Sequence, residues 1–388
     1  IGEDMRPSSP ELAEAFSAGV TSQGLDVIRI GLASTDMLYF AAGKLNLPGA
    51  MFTASHNPAE YNGIKLCLSG ARPIGKESGL LTIEKFVREG VPVSLRPIGI
   101  ENHREMLQDY VDHLLTLVDV SAIRKLNVVV DAGNGMAGHT APAVFSRMNV
   151  EVTQMYYELD GTFPNHEANP IDEANLADLK EMVKKKKADI GLAFDGDADR
   201  CFLVDEKGNA VNPSLLTALI ADRELQKKPG SPIIYNLISS RAVKEVVEEN
   251  GGKPLRSRVG HSFIKAMMAE SGAIFGGEHS GHFYFADFWR ADSGMLAALH
   301  AIAALGTSEK TLSQLLAPYA RYFASGEINS KVSDSKLIMA GIKESYGSKP
   351  GVTTDQLDGL TVEGDTWWFN VRASNTEPLL RLNVEAKT

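Results

Sequence analysis

Cysteine is nearly absent from this sequence, which has only Cys67 and Cys201 among its 388 residues. The two cysteines follow no metal-ligand spacing and suggest no disulfide framework, so they favour a reducing compartment. Long apolar stretches are absent too, because none approaches the ~20 uninterrupted residues that a membrane-spanning helix needs, and no signal peptide is recognisable. We therefore expect a cytoplasmic protein with no membrane partner.

Positive charge is in the minority, with 39 lysines and arginines against 49 aspartates and glutamates and a net charge of -10. This balance argues against nucleic acid as the main partner. It does not exclude an anionic sugar phosphate, because a few local arginines decide whether a phosphate is bound. With 44% hydrophobic and 23% charged residues the composition is typical of a globular protein. The length predicts three or four domains.

Strand-like apolar segments alternate with helical segments along most of the chain, as at residues 127–130, 190–194 and 232–237. Such alternation predicts α/β domains with mixed or largely parallel sheets. The last part of the chain, with alternating patterns at residues 366–371 and 379–384, predicts a smaller α+β domain.

Breaks in composition set the expected domain boundaries, because segments rich in glycine and proline are typical of linkers. We expect three α/β domains and a C-terminal α+β domain around a central cleft, at residues 1–101, 102–209, 210–325 and 326–388. The sequence begins at Ile1, on what resembles the end of a strand. We therefore expect that the N-terminal part of the first domain is missing from this numbering.

An acidic loop follows the strand-like segment at residues 190–194. Its three aspartates lie at alternate positions: Asp195, Asp197 and Asp199. In an extended loop their carboxylates project to one side, and Gly196 lets the backbone turn so that they converge. Three carboxylates suit Mg²⁺. A calcium-binding EF-hand is disfavoured because Arg200 stands where that loop needs glycine, although Glu206 occupies its twelfth position. A solvated acidic turn stays open, but such close like charges repel unless something neutralises them.

A serine loop, Thr53-Ala-Ser-His-Asn-Pro58, follows another predicted strand. Ser55 is a candidate nucleophile, and a serine needs a base or a cation nearby to act as one. His56 and Lys65 are the candidates for that role. An ordinary turn, in which the polar side chains satisfy backbone groups, is the alternative. The loop has no Gly-x-Ser-x-Gly nucleophile elbow, which weakens a hydrolase interpretation.

Two further loops have the composition expected of ligand-binding loops. In Gly277-Glu-His-Ser-Gly-His282 three groups suited to a polyhydroxylated ligand alternate: Glu278, Ser280 and His282. In Arg372-Ala-Ser-Asn-Thr-Glu-Pro378 an arginine that can hold phosphate bidentately is followed by further donors: Ser374, Asn375 and Thr376. His261 and Lys265 are candidates for supplementary contacts, although a lone histidine such as His261 is more often structural.

A glycine-rich turn at residues 133–138 follows a strand-like segment and has the spacing Gly-x-Gly-x-x-Gly. Alone, this pattern is similar to a dinucleotide fingerprint and suggests a second function class, an NAD-dependent oxidoreductase. No other segment supplies groups for hydride transfer. A turn that packs a helix closely onto its strand explains the glycines equally well.

Four of these segments occur in the order and rough spacing of the α-D-phosphohexomutases: Thr-Ala-Ser-His-Asn-Pro, Asp-Gly-Asp-Ala-Asp-Arg, Gly-Glu-His-Ser-Gly-His and Arg-Ala-Ser-Asn-Thr-Glu-Pro. The chain resembles the phosphomannomutase/phosphoglucomutase branch over essentially its whole length. The resemblance implies a four-domain enzyme that interconverts hexose 1-phosphate and hexose 6-phosphate. It also implies a phosphoserine, Mg²⁺ and a hexose 1,6-bisphosphate that serves as intermediate and activator.

The resemblance also implies roles for individual residues. Ser55 would be the phosphoserine, with three neighbours in the transfer step: His56, Lys65 and Arg200. Mg²⁺ would be held by the phosphoserine and the three aspartates. Sugar hydroxyls would be read by Glu278 and Ser280. The phosphate that is not transferred would be held by Arg372, Ser374, Asn375 and Thr376.

Two features depart from the family pattern. The upstream segment with tyrosine and arginine that family members usually carry is absent here because the sequence starts too late, and Ile238 stands where many phosphomannomutases have a lysine. The preference among mannose, glucose and glucosamine phosphates therefore stays open. Alternatives are a phosphoglucosamine mutase and a non-catalytic relative that binds sugar phosphates. The oligomeric state is not determined by the sequence.

Overall fold

The structure is a computed structural model that describes residues 1–373 and 379–388. Within these ranges the strands form four five-stranded sheets and one two-stranded sheet. The four large sheets follow one another along the chain, so each is built from one consecutive part of the sequence.

The first part contains a mixed sheet in the order β3-β1-β4-β5-β6, and a separate parallel pair, β2 and β7. Its elements are β1 (Gly2–Glu3), α1 (Ser9–Ser22), β2 (Val27–Arg29), β3 (Gly31–Leu32), α2 (Thr35–Leu45), β4 (Gly49–Phe52), β5 (Ile64–Leu68), β6 (Arg72–Pro73), α3 (Leu81–Glu89) and β7 (Glu101–His103).

The second part contains a mixed sheet in the order β9-β8-β10-β11-β12. Its elements are α4 (Leu107–Leu117), β8 (Leu126–Asp131), α5 (Ala137–Phe145), β9 (Val150–Met155), α6 (Ala177–Lys186), β10 (Ile190–Phe194), β11 (Cys201–Val204) and β12 (Ala210–Val211). Strand β10 is buried along its whole length, which explains its uninterrupted apolar sequence. Strand β12 belongs to this sheet although it lies just past the boundary expected at residue 209.

The third part contains a mixed sheet in the order β14-β13-β15-β16-β17. Its elements are α7 (Pro213–Lys227), β13 (Pro232–Asn236), α8 (Arg241–Glu249), β14 (Lys253–Ser257), α9 (His261–Ser271), β15 (Phe275–Gly277), β16 (Phe283–Phe285), β17 (Ala291–Asp292), α10 (Gly294–Gly306) and α11 (Leu312–Leu316). All 13 residues of α10 are buried, as expected for a helix that is apolar on every side. In the described ranges, no helix combines the length and apolarity that crossing a membrane requires.

The fourth part is an antiparallel sheet in the order β18-β22-β21-β20-β19 with one helix. Its elements are β18 (Phe323–Lys331), α12 (Ser335–Gly347), β19 (Thr353–Asp355), β20 (Leu360–Glu363), β21 (Trp367–Ala373) and β22 (Leu379–Ala386). Strand β18 begins slightly before the boundary expected at residue 326. The predicted fold class, three α/β units and a smaller α+β unit, is confirmed.

The first three sheets share one topology. In each, the spatial order of the strands, numbered along the chain, is second, first, third, fourth, fifth. The first three strands are parallel to one another, and the fourth and fifth each run antiparallel to the strand before them. The β4–β5, β10–β11 and β15–β16 connections are therefore equivalent, since each joins the third strand to its antiparallel neighbour. These three connections hold the serine loop, the acidic loop and the loop of residues 277–282, which we call the sugar loop.

The glycine-rich turn between β8 and α5 brings two backbones together. A Cβ on Gly135 would lie 2.6 Å from the carbonyl oxygen of Gly196, and the Met136 amide donates a 2.8 Å hydrogen bond to that same oxygen. A Cβ on Gly138 would lie 2.2 Å from the carbonyl oxygen of Tyr157. These contacts favour close packing over a dinucleotide site as the reason for the glycines.

Candidate active site

The serine loop holds Ser55 in a left-handed backbone conformation, with φ of 52°. Such a conformation is uncommon outside glycine and is often found at functional sites. The Ser55 amide donates to Thr53 Oγ1 at 2.9 Å, and Ser55 Oγ donates to Asp195 Oδ2 at 2.8 Å. Ser55 Oγ also lies 3.3 Å from His56 Nδ1. The hydroxyl therefore lies against a carboxylate of the second sheet and beside an imidazole of its own loop.

The acidic loop places three carboxylates in the interior, with residue exposures of 1% or less: Asp195, Asp197 and Asp199. One oxygen from each lies within 4.8 Å of the others, so the three can hold a metal ion together. Among the described residues, Asp197 Oδ1 and Asp199 Oδ1 have no hydrogen-bond partner. Buried carboxylate oxygens without a donor are costly, and a cation would satisfy them. The donor set therefore fits a hard divalent cation.

Glu206 does not belong to this cluster. Its carboxylate accepts hydrogen bonds from the amide of Ser313 at 3.0 Å and from Ser313 Oγ at 2.5 Å. The loop is therefore not an EF-hand, in which the twelfth residue would reach the same cation as the first.

Two basic side chains meet the acidic loop. Lys65 Nζ lies 2.5 Å from Asp197 Oδ2 and 2.6 Å from Asp199 Oδ2. Arg200 Nε lies 2.8 Å from Asp195 Oδ2. Burial raises the pKa of Asp195 to about 6, although Arg200 opposes the rise. Burial lowers the pKa of Lys65, but Asp197 and Asp199 outweigh it and hold that pKa well above its usual value, so the lysine is charged.

The pKa of His56 is shifted in the opposite direction from that of Lys65. Burial, followed by the positive charge of Arg200, lowers the pKa of its imidazole from 6.5 to about 4. At neutral pH the ring is uncharged and one of its nitrogens can accept a proton. Of the two predicted proton-transfer groups, His56 therefore has a free nitrogen lone pair at neutral pH, whereas Lys65 is a fixed cation.

The sugar loop lies against the acidic loop. Glu278 is 2% exposed, and its carboxylate accepts from Tyr284 Oη at 2.7 Å and from the Gly260 amide at 3.1 Å. Ser280 Oγ lies 3.0 Å from His282 Nδ1, and His282 Nε2 lies 3.6 Å from Asp199 Oδ1. Tyr284 and Gly260 thus fix the position of the Glu278 carboxylate, while Ser280 and His282 line the open cavity.

A cavity of about 750 Å³ is lined by residues from all four parts of the chain. The predicted site residues that line it are His56, Arg200, Ser280, His282 and Arg372. Arg372 lies on β21, with Nη1 3.9 Å from Asp358 Oδ2. The other predicted residues of its loop, Ser374, Asn375 and Thr376, lie outside the described residues.

His261 and Lys265 lie on α9, and neither of them lines this cavity. His261 is the first residue of the helix, and burial lowers the pKa of its imidazole. Lys265 is 4% exposed, with Nζ 2.5 Å from Asp292 Oδ1 and 4.0 Å from the centre of the Tyr39 ring. The expectation that Lys265 supplements a phosphate grip is wrong, because its charge is already paired inside the protein.

Two residues at the site escaped the sequence analysis. Thr35, at the start of α2, donates from Oγ1 to Asp197 Oδ2 at 2.5 Å and from its amide to the Asp197 carbonyl at 2.9 Å. Arg6, which follows β1, donates to the backbone of the serine loop. The only signal for Arg6 was a charged residue three positions after the strand end and two positions after Asp4.

Models of the four phosphoglucomutase/phosphomannomutase domains match the chain in order. The models of alpha/beta/alpha domains I, II and III match residues 1–91, 108–208 and 212–322, and the model of the C-terminal domain matches residues 327–388.

Full-length similarity to curated and solved proteins agrees with this match. A relative from Xanthomonas campestris, named phosphohexose mutases, is 40% identical over 389 residues, which cover 100% of this chain and 87% of the relative. A phosphomannomutase from Escherichia coli is 39% identical over 397 residues, with the same two coverages. A crystal structure of a phosphoglucomutase/phosphomannomutase family protein from Burkholderia thailandensis has a TM-score of 0.89 at 32% identity and covers 100% of this chain and 84% of that one. With its four domains matched in order and its fold shared along the whole chain, this protein belongs to the phosphoglucomutase/phosphomannomutase family.

Proposed function

We propose that this protein is a phosphohexomutase that interconverts the 1- and 6-phosphates of glucose, mannose or both, with Ser55 as the residue that carries the phosphoryl group. The observation that carries the proposal is the 2.8 Å contact between Ser55 Oγ and Asp195, at the edge of a buried carboxylate cluster. Family membership supports the reaction class, and the cavity supplies room for a sugar phosphate.

The proposed reaction is two phosphoryl transfers in opposite directions. In the first, the free hydroxyl of a hexose phosphate attacks the phosphorus of phospho-Ser55. A new P–O bond forms to the sugar, and the bond to Ser55 Oγ breaks. His56 takes the proton of the sugar hydroxyl and returns it to Ser55 Oγ, from which its Nδ1 lies 3.3 Å. The bisphosphate then reorients, and Ser55 receives the other phosphoryl group.

Mg²⁺ is the proposed metal ion. Asp195, Asp197 and Asp199 would hold it together with a phosphoserine oxygen, as the two unpartnered buried oxygens of this cluster suggest. When bound, such an ion neutralises charge on the phosphoryl group, because phosphoryl transfer depends on positioning and electrostatic stabilisation. Lys65 and Arg200 contribute fixed positive charge to the same region.

Substrate recognition is proposed for the two remaining loops. Ser280 and His282 face the cavity beside the acidic loop, where they would bind sugar hydroxyls, and Glu278 and His261 are proposed to assist them. Arg372 lies on the same cavity and would hold the phosphate that is not transferred, together with Ser374, Asn375 and Thr376. This grip must accept either end of the sugar, because the bisphosphate binds in both orientations.

A coupled assay tests the proposal. Mannose 1-phosphate, glucose 1-phosphate and glucosamine 1-phosphate are supplied separately, each with Mg²⁺ and a trace of hexose 1,6-bisphosphate. Formation of any hexose 6-phosphate supports a mutase, and the ranking of rates names the substrate. A clear preference for glucosamine 1-phosphate would assign a phosphoglucosamine mutase instead. No turnover, with Ser55 shown by mass spectrometry to be phosphorylated, would contradict the proposal and favour a binding protein.

A further inference from the structure

Arg6 is a buried arginine, 1% exposed, whose guanidinium gathers four backbone carbonyls of the serine loop. Nη2 donates to the oxygens of Ser55 at 2.8 Å and Asn57 at 2.7 Å. Nη1 donates to the oxygens of Pro58 at 2.7 Å and Tyr61 at 3.0 Å. One side chain therefore binds four backbone carbonyls spread over residues 55–61 of the loop.

Two other contacts fix the guanidinium itself. Arg6 Nε lies 3.2 Å from Asp4 Oδ2, so the charge is paired within the same short segment. The ring of Phe163, from the second sheet's part of the chain, lies over the guanidinium with its centre 5.1 Å from Cζ. Gly161 packs on the backbone of Arg6, since a Cβ there would lie 2.6 Å from Arg6 Cα. Residues from two domains therefore hold the arginine in one defined position.

The serine loop depends on this arrangement for its shape. Residues 53–63 form no helix or strand, so no regular hydrogen-bond ladder satisfies their carbonyls, and those of Ser55 and Asn57 accept from Arg6. Ser55 also keeps a left-handed backbone, which persists only where its surroundings enforce it. A planar guanidinium with five donors in a fixed fork can serve four carbonyls at once, whereas the compact ammonium of lysine cannot match that spacing.

We propose that Arg6 is a positioning residue that sets the backbone of residues 55–61 and thereby holds Ser55 Oγ at Asp195 for phosphoryl transfer. The inference rests on the proposed role of Ser55 and adds the residue that makes its geometry productive. Among the described residues, the Arg6 side chain donates hydrogen bonds only to backbone carbonyls of the serine loop, and its charge is paired with Asp4. Its effect is therefore transmitted through the loop. Its loss lowers the rate of transfer and leaves sugar-phosphate affinity nearly unchanged.

The test compares Arg6→Lys with Arg29→Lys. Arg29 also lies in the first part of the chain and pairs with Glu3 Oε2 at 2.6 Å, but does not contact the serine loop. We expect Arg6→Lys to lower kcat by about 100-fold with KM changed by less than about threefold, because a misplacement near 1 Å has an effect of that size. Phosphorylation of Ser55 by hexose 1,6-bisphosphate, followed by intact mass, slows by the same factor. Arg29→Lys keeps the unsubstituted rates.

The outcomes separate the two proposals. If neither the unsubstituted protein nor Arg29→Lys becomes phosphorylated or turns over, the proposed function fails. If both are active and folded Arg6→Lys keeps their kcat, or changes only KM, the role of Arg6 is overturned.

A second variant covers the case in which Arg6→Lys does not fold. Arg6→Ala, prepared in millimolar guanidinium chloride, leaves space for a free guanidinium ion. We expect kcat to rise with guanidinium and not with sodium chloride at equal ionic strength, while KM stays constant. A kcat that does not respond to guanidinium overturns the inference.

Discussion

Ser55 Oγ and Asp195 Oδ2 form a 2.8 Å hydrogen bond although 140 positions separate the two residues in the chain. The bond joins the serine loop after β4 to the acidic loop after β10. The same Asp195 oxygen accepts from Arg200 Nε at 2.8 Å. The Ser55 hydroxyl and the Arg200 guanidinium therefore share one carboxylate oxygen, so a phosphoryl group on Ser55 would lie close to the carboxylate cluster and to a fixed positive charge.

Replacement of Ser55 by alanine removes the proposed phosphoryl carrier. We expect Ser55→Ala to lose turnover primed by hexose 1,6-bisphosphate by at least about 1,000-fold, since no covalent intermediate can form. Substrate binding measured by calorimetry stays close to that of the unsubstituted protein. Ser22→Ala, at an exposed end of α1, is the matched control and keeps full activity. Normal turnover by Ser55→Ala would remove Ser55 from the mechanism.

Replacement of Asp197 by asparagine removes one charge from the metal cluster. We expect the Mg²⁺ concentration for half-maximal activity to rise at least about tenfold, because ligand charge sets the affinity of such oxygen sites. The measurement is activity against Mg²⁺ concentration after treatment with a chelator. Asp112→Asn, on the exposed surface of α4, should leave the Mg²⁺ requirement unchanged. The same requirement in both variants would count against the acidic loop as the metal site.

His56 makes stability depend on pH in a defined direction. Its pKa is about 4 in the folded protein and 6.5 as the ordinary value, so the unfolded chain takes up the proton first as the pH falls. The stability contributed by a neutral His56 is fully present above pH 6.5 and is lost progressively towards pH 4. We expect the free energy of unfolding, measured in urea, to fall less steeply over this range in His56→Gln than in the unsubstituted protein.

A direct measurement accompanies this prediction. In an NMR titration, the resonance that disappears in His56→Gln should show a neutral ring at pH 6. A protonated ring at that pH would contradict the pKa and weaken the case for His56 as proton acceptor.

Replacement of Ser280 by alanine tests the sugar loop. We expect Ser280→Ala to raise KM for the preferred hexose phosphate by up to about tenfold, the value of one lost hydrogen bond. The effect should differ between mannose and glucose phosphates if this hydroxyl reads the sugar. Ser330→Ala, on exposed β18, is the control. Equal kinetics for every sugar would assign sugar recognition to other residues.

Arg241 joins the third and fourth parts of the chain. Its guanidinium donates to the Asp365 carbonyl at 2.8 Å, the Gly364 carbonyl at 2.9 Å and Glu363 Oε1 at 2.7 Å. We expect Arg241→Ala to lower stability by about 1–3 kcal/mol and to let the C-terminal domain unfold first in calorimetry. Lys244→Ala, on the same helix, should have little effect because its ion pair is exposed. One unchanged transition in Arg241→Ala would show that other contacts hold the domain.

The sequence allowed prediction of those features that depend on neighbouring residues. The strand at Ile190–Phe194 was predicted with its observed bounds, because a buried strand is a continuous apolar run. The alternating aspartates after it were recognised for the same local reason. Arg6 and Thr35 were missed because their partners lie far along the chain, where periodicity gives no information. The Lys265 prediction failed because Asp292 and Tyr39, which surround its charge, are distant in the sequence and could not be identified from neighbouring residues.

The three equivalent connections give the first three sheets separate tasks at one site. The first holds the hydroxyl proposed to react, the second the carboxylates proposed to bind the cation, and the third the side chains proposed to contact the sugar. The sugar loop is a separate connection from the two that hold Ser55 and the aspartates, although its His282 lies 3.6 Å from Asp199 Oδ1. We therefore expect substitutions between β15 and β16 to change the sugar preference more than they change the phosphoryl transfer step.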